Sequence, residues 1–416
     1  MALTPRRPWK GKRIVLGVTG GIAAYKSIQV ARDLTRLGAE VDVVLTRSAL
    51  KFVAPLTFEG VTGRPALSDL FSAEGAALHI RLGRDADVVC VAPATADFLA
   101  RAAQGRADDL ICTTLLATRA PVLVCPAMND RMFAHPQVQQ NLAHVRDQLG
   151  YGVAGPAEGA LAVGEGEGPG RMLEPWQIEE AIGRALGACD AFRDRHVLIT
   201  AGPTQEPIDP VRYVGNRSSG RMGYSIAQAA WRRGAHVTLV SGPSALEVPW
   251  GVDFVPVKTA VEMRDAVEAR IGHADVSIFA AAVADFRPAE PKERKVKRAE
   301  TGPDLSVALE ENPDVALDTM AERRSGSVTV GFALETNDVL ENAGRKLERK
   351  GFDLLVANDA TEEGAGFGVS TNRVTILGAD GSLDPLPLMS KDEVAEAILD
   401  RVEALLGAPH DETSVG

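Results

Sequence analysis

The chain has 416 residues, with 45 Lys and Arg against 56 Asp and Glu, for a formal net charge of −11 at pH 7. This length exceeds what one hydrophobic core fills, so we expect two domains. The negative charge disfavours nucleic acid or an anionic membrane as a partner, so an anionic ligand would need a local site. No apolar run is as long as a membrane span, and we predict a cytoplasmic protein.

Residues 13–47 predict a strand, a glycine turn, a helix and a second strand, and residues 196–241 repeat this order. Further apolar, strand-like segments read ADVVCVAP and PVLVCPA in the first half, and DVSIFAA, VTVGFA, DLLVAN and RVTIL in the second. Such strands alternating with helices are typical of parallel sheets covered on both faces. We therefore predict an α/β protein of two Rossmann-like domains with mainly parallel sheets, residues 1–190 and 191–416.

Glycine-rich or polar loops follow four of the predicted N-terminal strands. They read TGGIAA, TRS, APATAD and PAMN. Because the carboxyl ends of parallel strands meet at one sheet edge, these loops predict a single ligand crevice. A tight turn without ligand would also explain Gly20 and Gly21, and a helix N-cap would explain Ser48.

These loops, with HIRL, ADDLICTTLLA and GPGRM in the same order, resemble the homo-oligomeric flavin-containing cysteine decarboxylases over nearly all of residues 12–180. That family includes phosphopantothenoylcysteine decarboxylase. The resemblance implies a flavodoxin-like half in which FMN serves as the electron sink for decarboxylation. The FMN contacts that it implies are Gly20, Gly21, Ile22, Thr46, Ser48, Pro93, Ala94 and Thr95.

The same resemblance implies that His79 is the catalytic base, that Asn129 holds the substrate carboxylate and that Arg171 contacts substrate. From its position alone, a partly buried histidine bonded to a carbonyl is an alternative explanation of His79. Val163 stands where the coenzyme A branch of the family carries a proton-donating cysteine. Valine donates no proton, so either another donor such as Glu165 or water acts, or the reaction stops at the oxidised enethiol.

The second half carries a long loop between a strand and a helix, AGPTQEPIDPVRY followed by GNRSSGRMG. An ordered loop of this length is usually functional. With AAVADFR, RKVK, NPD, GFALET and the pair Lys346 and Lys350, it closely resembles phosphopantothenate-cysteine ligase over about residues 195–400. The resemblance implies that CTP and Mg²⁺ activate the carboxylate of 4′-phosphopantothenate as an acyl-cytidylate, which cysteine then attacks.

The same resemblance implies that Asn216 lies at the reaction intermediate and that Lys295 is the cation at the reacting phosphate. The expected CTP contacts are Phe279, Ala280, Ala281, Asp285, Lys295, Pro313, Asp314, Val315, Ala316, Phe332, Lys346 and Lys350. No metal ligands are identified. Explanations that need no ligand are a solvated run of charges at ERKVKR and an ordinary helix start at Asn312–Ala316, with Pro313 as the first helical residue.

The sequence therefore predicts a bifunctional enzyme of coenzyme A biosynthesis whose substrates are 4′-phosphopantothenate, cysteine and CTP. The resemblance also implies a homo-oligomer, with a trimeric flavin half and a dimeric ligase half, and no nucleic-acid or membrane partner. The alternative raised by Val163 is an active ligase fused to a flavin half that is structural or incomplete in its reaction. A general NAD oxidoreductase is weaker, because neither half shows G-x-G-x-x-G followed by a ribose-binding acid.

Overall fold

The computed structural model describes residues 6–71, 77–160, 166–297, 305–335, 338–359 and 369–407. The chain forms two compact units, Met1–Ala188 and Cys189–Gly416. Val163 and Glu165 lie outside the described residues. Within the part of the chain that the structure describes, no helix has both the length and the apolar character needed to cross a membrane.

The N-terminal unit is built on a five-stranded parallel sheet in the order β2-β1-β3-β4-β5. The strands are β1 (Arg13–Val18), β2 (Glu40–Leu45), β3 (Val88–Ala94), β4 (Val122–Pro126) and β5 (Gly152–Val153), and a separate hairpin pairs β6 (Ala157–Ala160) with β7 (Glu167–Arg171). Strand β3 is buried at every residue, as its continuous apolar run predicts. The strand order is that of the flavodoxin-like fold, which confirms the predicted class.

Helices cover both faces of this sheet. They are α1 (Ala24–Arg36), α2 (Pro55–Thr62), α3 (Leu78–Asp85), α4 (Ala96–Ala103), α5 (Leu110–Ala117), α6 (Asp130–Ala134), α7 (Pro136–Asp147) and α8 (Pro175–Gly187), with a short 3₁₀ helix at Ala49–Lys51. Helix α1 buries an apolar stripe that includes Val30, Ala31 and Leu34. It ends where Gly38 adopts a φ of 94°, which only glycine takes without strain, and the chain turns into β2.

A buried carboxyl group lies between α1 and α8. Glu179 on α8 is 6% exposed, and its Oε1 atom has no hydrogen-bond partner. Burial and, next, the nearby charge of Asp33 on α1 raise the pKa of Glu179 to about 8. Asp33 itself accepts a hydrogen bond of 2.6 Å from Gln29. The folded protein therefore favours the protonated form of Glu179.

Replacing Glu179 by Gln is expected to stabilise the N-terminal unit at alkaline pH. Because the folded pKa lies above the unfolded one, the wild-type protein loses stability as pH rises from the unfolded pKa through about 8. The variant should gain about 4 kcal/mol more at pH 9 than at pH 5, at about 1.36 kcal/mol for each unit of the shift in pKa. Hydrogen exchange of α1 and α8 across this pH range measures the difference. Equal protection of variant and wild type at pH 9 would contradict the assignment.

The C-terminal unit is built on an eight-stranded sheet in the order β12-β11-β8-β13-β16-β17-β19-β20. Its strands are β8 (His196–Ala201), β11 (His236–Ser241), β12 (Asp253–Pro256), β13 (Val276–Phe279), β16 (Val328–Glu335), β17 (Leu354–Asp359), β19 (Thr375–Gly378) and β20 (Leu383–Pro385). All pairings are parallel up to β17, and only β19 and β20 are antiparallel. The parallel part has the Rossmann order 3-2-1-4-5-6, as predicted for this half.

In the described residues of this unit, three small antiparallel pairs lie outside the sheet, and five helices accompany them. The pairs are β9 (Gln205–Pro207) with β10 (Tyr213–Gly215), β14 (Phe286–Pro288) with β15 (Leu309–Glu311), and β18 (Thr371–Asn372) with β21 (Met389–Ser390). The helices are α9 (Arg221–Arg232), α10 (Ala260–Ile271), α11 (Val315–Asp318), α12 (Val339–Lys350) and α13 (Lys391–Gly407). Each unit buries its own apolar side chains around its own sheet.

Candidate functional site

A cavity of about 600 Å³ opens at the carboxyl edge of the N-terminal sheet. Thr19, Thr46, Thr95 and Ala127 line it, and each directly follows one of the strands β1 to β4. The cavity therefore includes the point between β1 and β3 where the strand order reverses, which is where flavodoxin-like folds bind ligands. Its volume lies within the usual range for a cofactor site. We call it the N-terminal cavity.

The structure brings most of the predicted flavin contacts together in this cavity. Its lining includes Gly20, Gly21, Ile22, Thr46, Ser48 and Thr95, together with the two predicted substrate residues Asn129 and Arg171. Pro93 and Ala94 are not in the lining, because β3 continues through Ala94 and both residues belong to the sheet. The Pro93 carbonyl nevertheless accepts a hydrogen bond of 2.7 Å from the Thr19 hydroxyl.

Side-chain hydrogen bonds fix the two hydroxyl residues beside the glycine turn. The Thr19 oxygen also accepts from the backbone N–H of Thr95 at 3.2 Å. The Thr95 hydroxyl caps α4 by accepting from the N–H of Phe98. These bonds connect the ends of β1 and β3, so one wall of the cavity is rigid before any ligand binds.

A buried lysine connects α1 to the segment after β7, which also lines the cavity. Lys26 is 8% exposed, and its Nζ donates to the Met172 carbonyl at 3.2 Å and to Glu174 Oε1 at 3.0 Å. Arg171 pairs with the same carboxylate. Burial alone would raise the pKa of Glu174, but the hydrogen bond and charge of Lys26 outweigh it and hold that pKa below its usual value. Glu174 is therefore an anionic partner that holds Arg171 in place. The sequence did not reveal this ion pair.

His79 is not among the residues that line the N-terminal cavity. It lies on α3, and its Nδ1 atom is buried without a hydrogen-bond partner among the described residues. The simple alternative of a histidine bonded to a carbonyl through Nδ1 is therefore not what the structure shows. Its role as catalytic base remains a prediction.

Asp108, Asp109 and Cys112 are the only group of three or more His, Cys, Asp or Glu side chains in the described residues whose metal-ligating atoms lie within 4.8 Å of one another. Both carboxylates pair with Arg101, so their charge is already compensated. Burial, and next the charge of Asp109, raise the pKa of Cys112 to about 12, so its thiol stays protonated at neutral pH. This group is better explained as a salt-bridge cluster.

A second cavity, of about 390 Å³, opens in the C-terminal unit. We call it the C-terminal cavity. Its lining contains ten of the predicted CTP contacts, Phe279, Ala281, Asp285, Pro313, Asp314, Val315, Ala316, Phe332, Lys346 and Lys350. Thr200, Glu311, Asn312, Arg349 and Phe352 also line it. Ala280 and Lys295 are not in the lining.

The two predicted lysines of α12 already have partners in the structure. Lys350 Nζ lies 2.8 Å from Asp314 Oδ1, and Lys346 donates to the Phe332 carbonyl at 2.8 Å. Burial would raise the pKa of Asp314, but the hydrogen bond and charge of Lys350 outweigh it and lower the pKa below its usual value. Both lysines are thus held on one helix face at the cavity, as their four-residue spacing predicts.

The helix start in this cavity differs from the predicted one. Helix α11 begins at Val315 and is capped by Asp314, whose Oδ1 accepts from the N–H of Leu317 at 3.3 Å. Asn312 instead donates its side-chain amide to the Ala284 carbonyl at 2.8 Å. Pro313 therefore lies before the cap, because the carboxylate of Asp314 offers the stronger cap once Asn312 is engaged elsewhere.

Arg323 holds three walls of the C-terminal cavity together. Its guanidinium donates to the carbonyls of Ala316, Lys350 and Gly351 at 2.7, 2.9 and 3.0 Å. It also lies 5.6 Å from the ring centre of Phe279 and 5.5 Å from that of Phe352. Sequence reasoning missed this residue, since its partners are set only by the tertiary fold.

Neither Asn216 nor Lys295 is in the lining of the C-terminal cavity. Asn216 donates to the carbonyl of Val283 at 2.8 Å, and Val283 lines the cavity. Lys295 is exposed on the loop between β14 and β15. Asp285, just before β14, and Glu311, at the end of β15, both line the cavity, so the open end of this hairpin lies at the cavity and the loop with Lys295 follows its other end.

Comparisons with known proteins agree in both halves. The family model described as Flavoprotein matches residues 3–187, and the model described as DNA/pantothenate metabolism flavoprotein C-terminal domain matches residues 192–406. The coenzyme A biosynthesis bifunctional protein CoaBC of Vibrio vulnificus is 46% identical over 405 residues, covering 95% of this chain and 98% of the relative. The protein of the same description from Mycobacterium tuberculosis is 45% identical over 409 residues, covering 95% and 97%.

Among solved structures, the chain is similar to the crystal structure of the C-terminal domain of coenzyme A biosynthesis bifunctional protein CoaBC. The two are 41% identical, the match covers 52% of this chain and 98% of that chain, and the TM-score is 0.45.

Proposed function

Because the chain belongs to the family of coenzyme A biosynthesis bifunctional proteins, we propose that its C-terminal half uses CTP to join 4′-phosphopantothenate to cysteine and that its N-terminal half decarboxylates the product to 4′-phosphopantetheine. The chain is an enzyme with a flavoprotein half and a ligase half. The observation that supports this proposal most is that the predicted contacts of two different ligands line two separate cavities, one in each unit.

The N-terminal cavity fits a flavin phosphate at its glycine turn. A Cβ atom added at Gly20 would lie 2.3 Å from the Ser48 Cβ, so the two loops touch at the glycine turn. The backbone N–H groups at the start of α1 follow this turn, and such groups bind anions. The residue before that helix, Ala23, provides no side-chain cap to those groups. When bound, FMN would supply the electron acceptor that lets CO₂ leave next to an electron-poor carbon.

The chain's own residues would bind and orient the substrate. Asn129 lines the N-terminal cavity, and its amide is suited to hold the substrate carboxylate. Arg171, anchored by Glu174, is a candidate for the substrate phosphate. His79 lies outside the lining of its own cavity, which agrees with a homo-oligomer in which neighbouring subunits complete each other's sites.

In the ligase half, cations and a carboxylate-bound metal would stabilise charge on the triphosphate. Lys346, Arg349 and Lys350 present three cationic side chains to the C-terminal cavity. The oxygen atoms of Asp285 and Glu311, in the same lining, are of the kind that Mg²⁺ prefers. Asn216 would hold the acyl-cytidylate, and Lys295 would approach the reacting phosphate from the rim.

Product analysis tests the proposal directly. The purified protein should show flavin absorbance and, with Mg²⁺, should convert CTP to CMP only when 4′-phosphopantothenate and cysteine are both present. Mass spectrometry should then detect 4′-phosphopantetheine and the release of CO₂. Absence of CTP turnover would contradict the ligase assignment.

The same assay decides the alternative raised by Val163. Accumulation of 4′-phosphopantothenoylcysteine would indicate a structural flavin half, and an oxidised enethiol would indicate a truncated reaction. This alternative is not favoured, because the similarity to bifunctional relatives extends over 95% of the chain. A cytoplasmic location, the trimeric flavin half and the dimeric ligase half remain predictions.

A further inference from the structure

The loop that carries Lys295 is bound to a buried carboxylate from another part of the chain. The Asp209 side chain, in the turn between β9 and β10, is fully buried. Its Oδ1 accepts from the N–H groups of Val211 and Arg212, both at 2.8 Å. Its Oδ2 accepts from the N–H of Val296 at 3.2 Å. One oxygen thus shapes the local turn, and the other holds the residue next to Lys295.

Two further contacts hold the same loop. Arg212 donates to the Val296 carbonyl at 3.1 Å and pairs with Asp209 Oδ2 at 3.2 Å. The N–H of Lys292 donates to the Ile208 carbonyl at 2.9 Å. The basic loop, residues 292–297, is therefore fixed on both sides of Lys295, whose own side chain remains exposed.

The hairpin of β9 and β10 is itself firmly attached to the unit. Glu206 on β9 is 1% exposed and accepts from the N–H of Ala260, the first residue of α10, at 2.9 Å. Asn216, directly after β10, donates to the Val283 carbonyl in the cavity lining. The hairpin thus contacts the cavity through Asn216 and the basic loop through Asp209.

We propose that Asp209, assisted by Arg212, is a positioning residue that holds the basic loop so that Lys295 stands at the rim of the C-terminal cavity beside Asn216. This inference rests on the proposed ligase function, because it assigns the loop a task in CTP-dependent ligation. Fixing a cation in advance lowers the entropic cost of bringing it to the reacting phosphate. The long, flexible side chain then covers the remaining distance.

Replacing Asp209 by Asn separates the two tasks of the carboxylate. The amide oxygen still accepts from Val211 and Arg212, but the amide nitrogen then faces the N–H of Val296, and two donors repel. We expect the turn to persist and the basic loop to detach. Arg212→Gln is the second variant. It removes the hydrogen bond to the Val296 carbonyl, and it keeps the three hydrogen bonds that backbone N–H groups donate to the Asp209 carboxylate.

Limited trypsin digestion measures directly whether the basic loop is attached, and it needs no substrate. Mass spectrometry should show cleavage within residues 292–297 about tenfold faster in both variants than in wild type, because a detached loop fits a protease more readily. Asp384→Asn serves as the control. Asp384 lies on β20, and the substitution removes its ion pair with Arg401, which is far from the basic loop in sequence. Unchanged cleavage in Asp209→Asn would overturn the proposed attachment, whatever the enzyme's activity.

Steady-state ligation then tests the link to Lys295. We expect Asp209→Asn to lower kcat for CMP formation by about tenfold with little change in the KM for CTP. In a Lys295→Met background, the same substitution should have no further effect on kcat, because it acts through that lysine. An additive loss in the double variant would show that Asp209 acts elsewhere. A wild-type enzyme without CTP turnover would contradict the proposed function but not the digestion result.

Discussion

Gly20→Ala is expected to remove most of the flavin from the purified protein. An added Cβ would lie 2.3 Å from the Ser48 Cβ and 2.7 Å from the Ser48 carbonyl carbon, so the two loops that line the N-terminal cavity would have to separate. Such overpacking costs about 1–3 kcal/mol, which corresponds to a roughly tenfold to hundredfold weaker flavin affinity. Visible flavin absorbance relative to protein absorbance gives the occupancy, and titration of the apoprotein with FMN gives the affinity.

Gly60→Ala is the matched control for this experiment. Gly60 lies inside α2, and no atom is within 4 Å of a Cβ added there. Alanine is favoured over glycine in a helix, so this variant should keep its flavin and its stability. If Gly20→Ala retained the flavin content of Gly60→Ala, the glycine turn would not be part of the flavin site.

Lys295→Met is expected to lower CTP-dependent ligation by about 10²–10³-fold, the usual loss when one group that stabilises transition-state charge is removed. Methionine keeps most of the side-chain length without the charge. The rate of CMP and pyrophosphate formation measures the loss. Decarboxylation of 4′-phosphopantothenoylcysteine supplied directly should remain at the wild-type rate, because that reaction belongs to the other half.

A second lysine of the same loop provides the control. The Lys292 ammonium pairs with Glu290 at 3.0 Å, and Lys292→Met changes the loop charge by the same amount. We expect its ligation rate to stay within about twofold of wild type, as for other exposed ion pairs. An equal loss in both variants would mean that the overall charge of the loop matters and not the position of Lys295.

The main elements could be predicted because their signals are local. The buried strands are continuous apolar runs, such as the segment that forms β3, and they alternate with amphipathic helices. The hairpins of β9 with β10 and β14 with β15 were not predicted. Their strands are three residues long and lie outside the large sheet, so they show no extended apolar pattern.

The candidate sites were predictable where a residue directly follows a strand, as Thr46 and Thr95 do. Strand β3 continues through Ala94, because the end of a strand cannot be located to within two residues from an apolar run, and flavin contact by Pro93 and Ala94 stays a prediction. Lys26 and Arg323 were missed for a different reason. Their partners are separated from them in sequence by 148 residues for Glu174 and 27 for the Lys350 carbonyl, and no sequence pattern encodes those contacts.

Among the described residues, each cluster of buried apolar side chains belongs to one of the two units. Unfolding of the chain therefore need not be a single cooperative event. We expect a heat scan to resolve two transitions, only one of which shifts upward with added FMN. A single melting temperature for the whole chain would then be an average of two separate quantities.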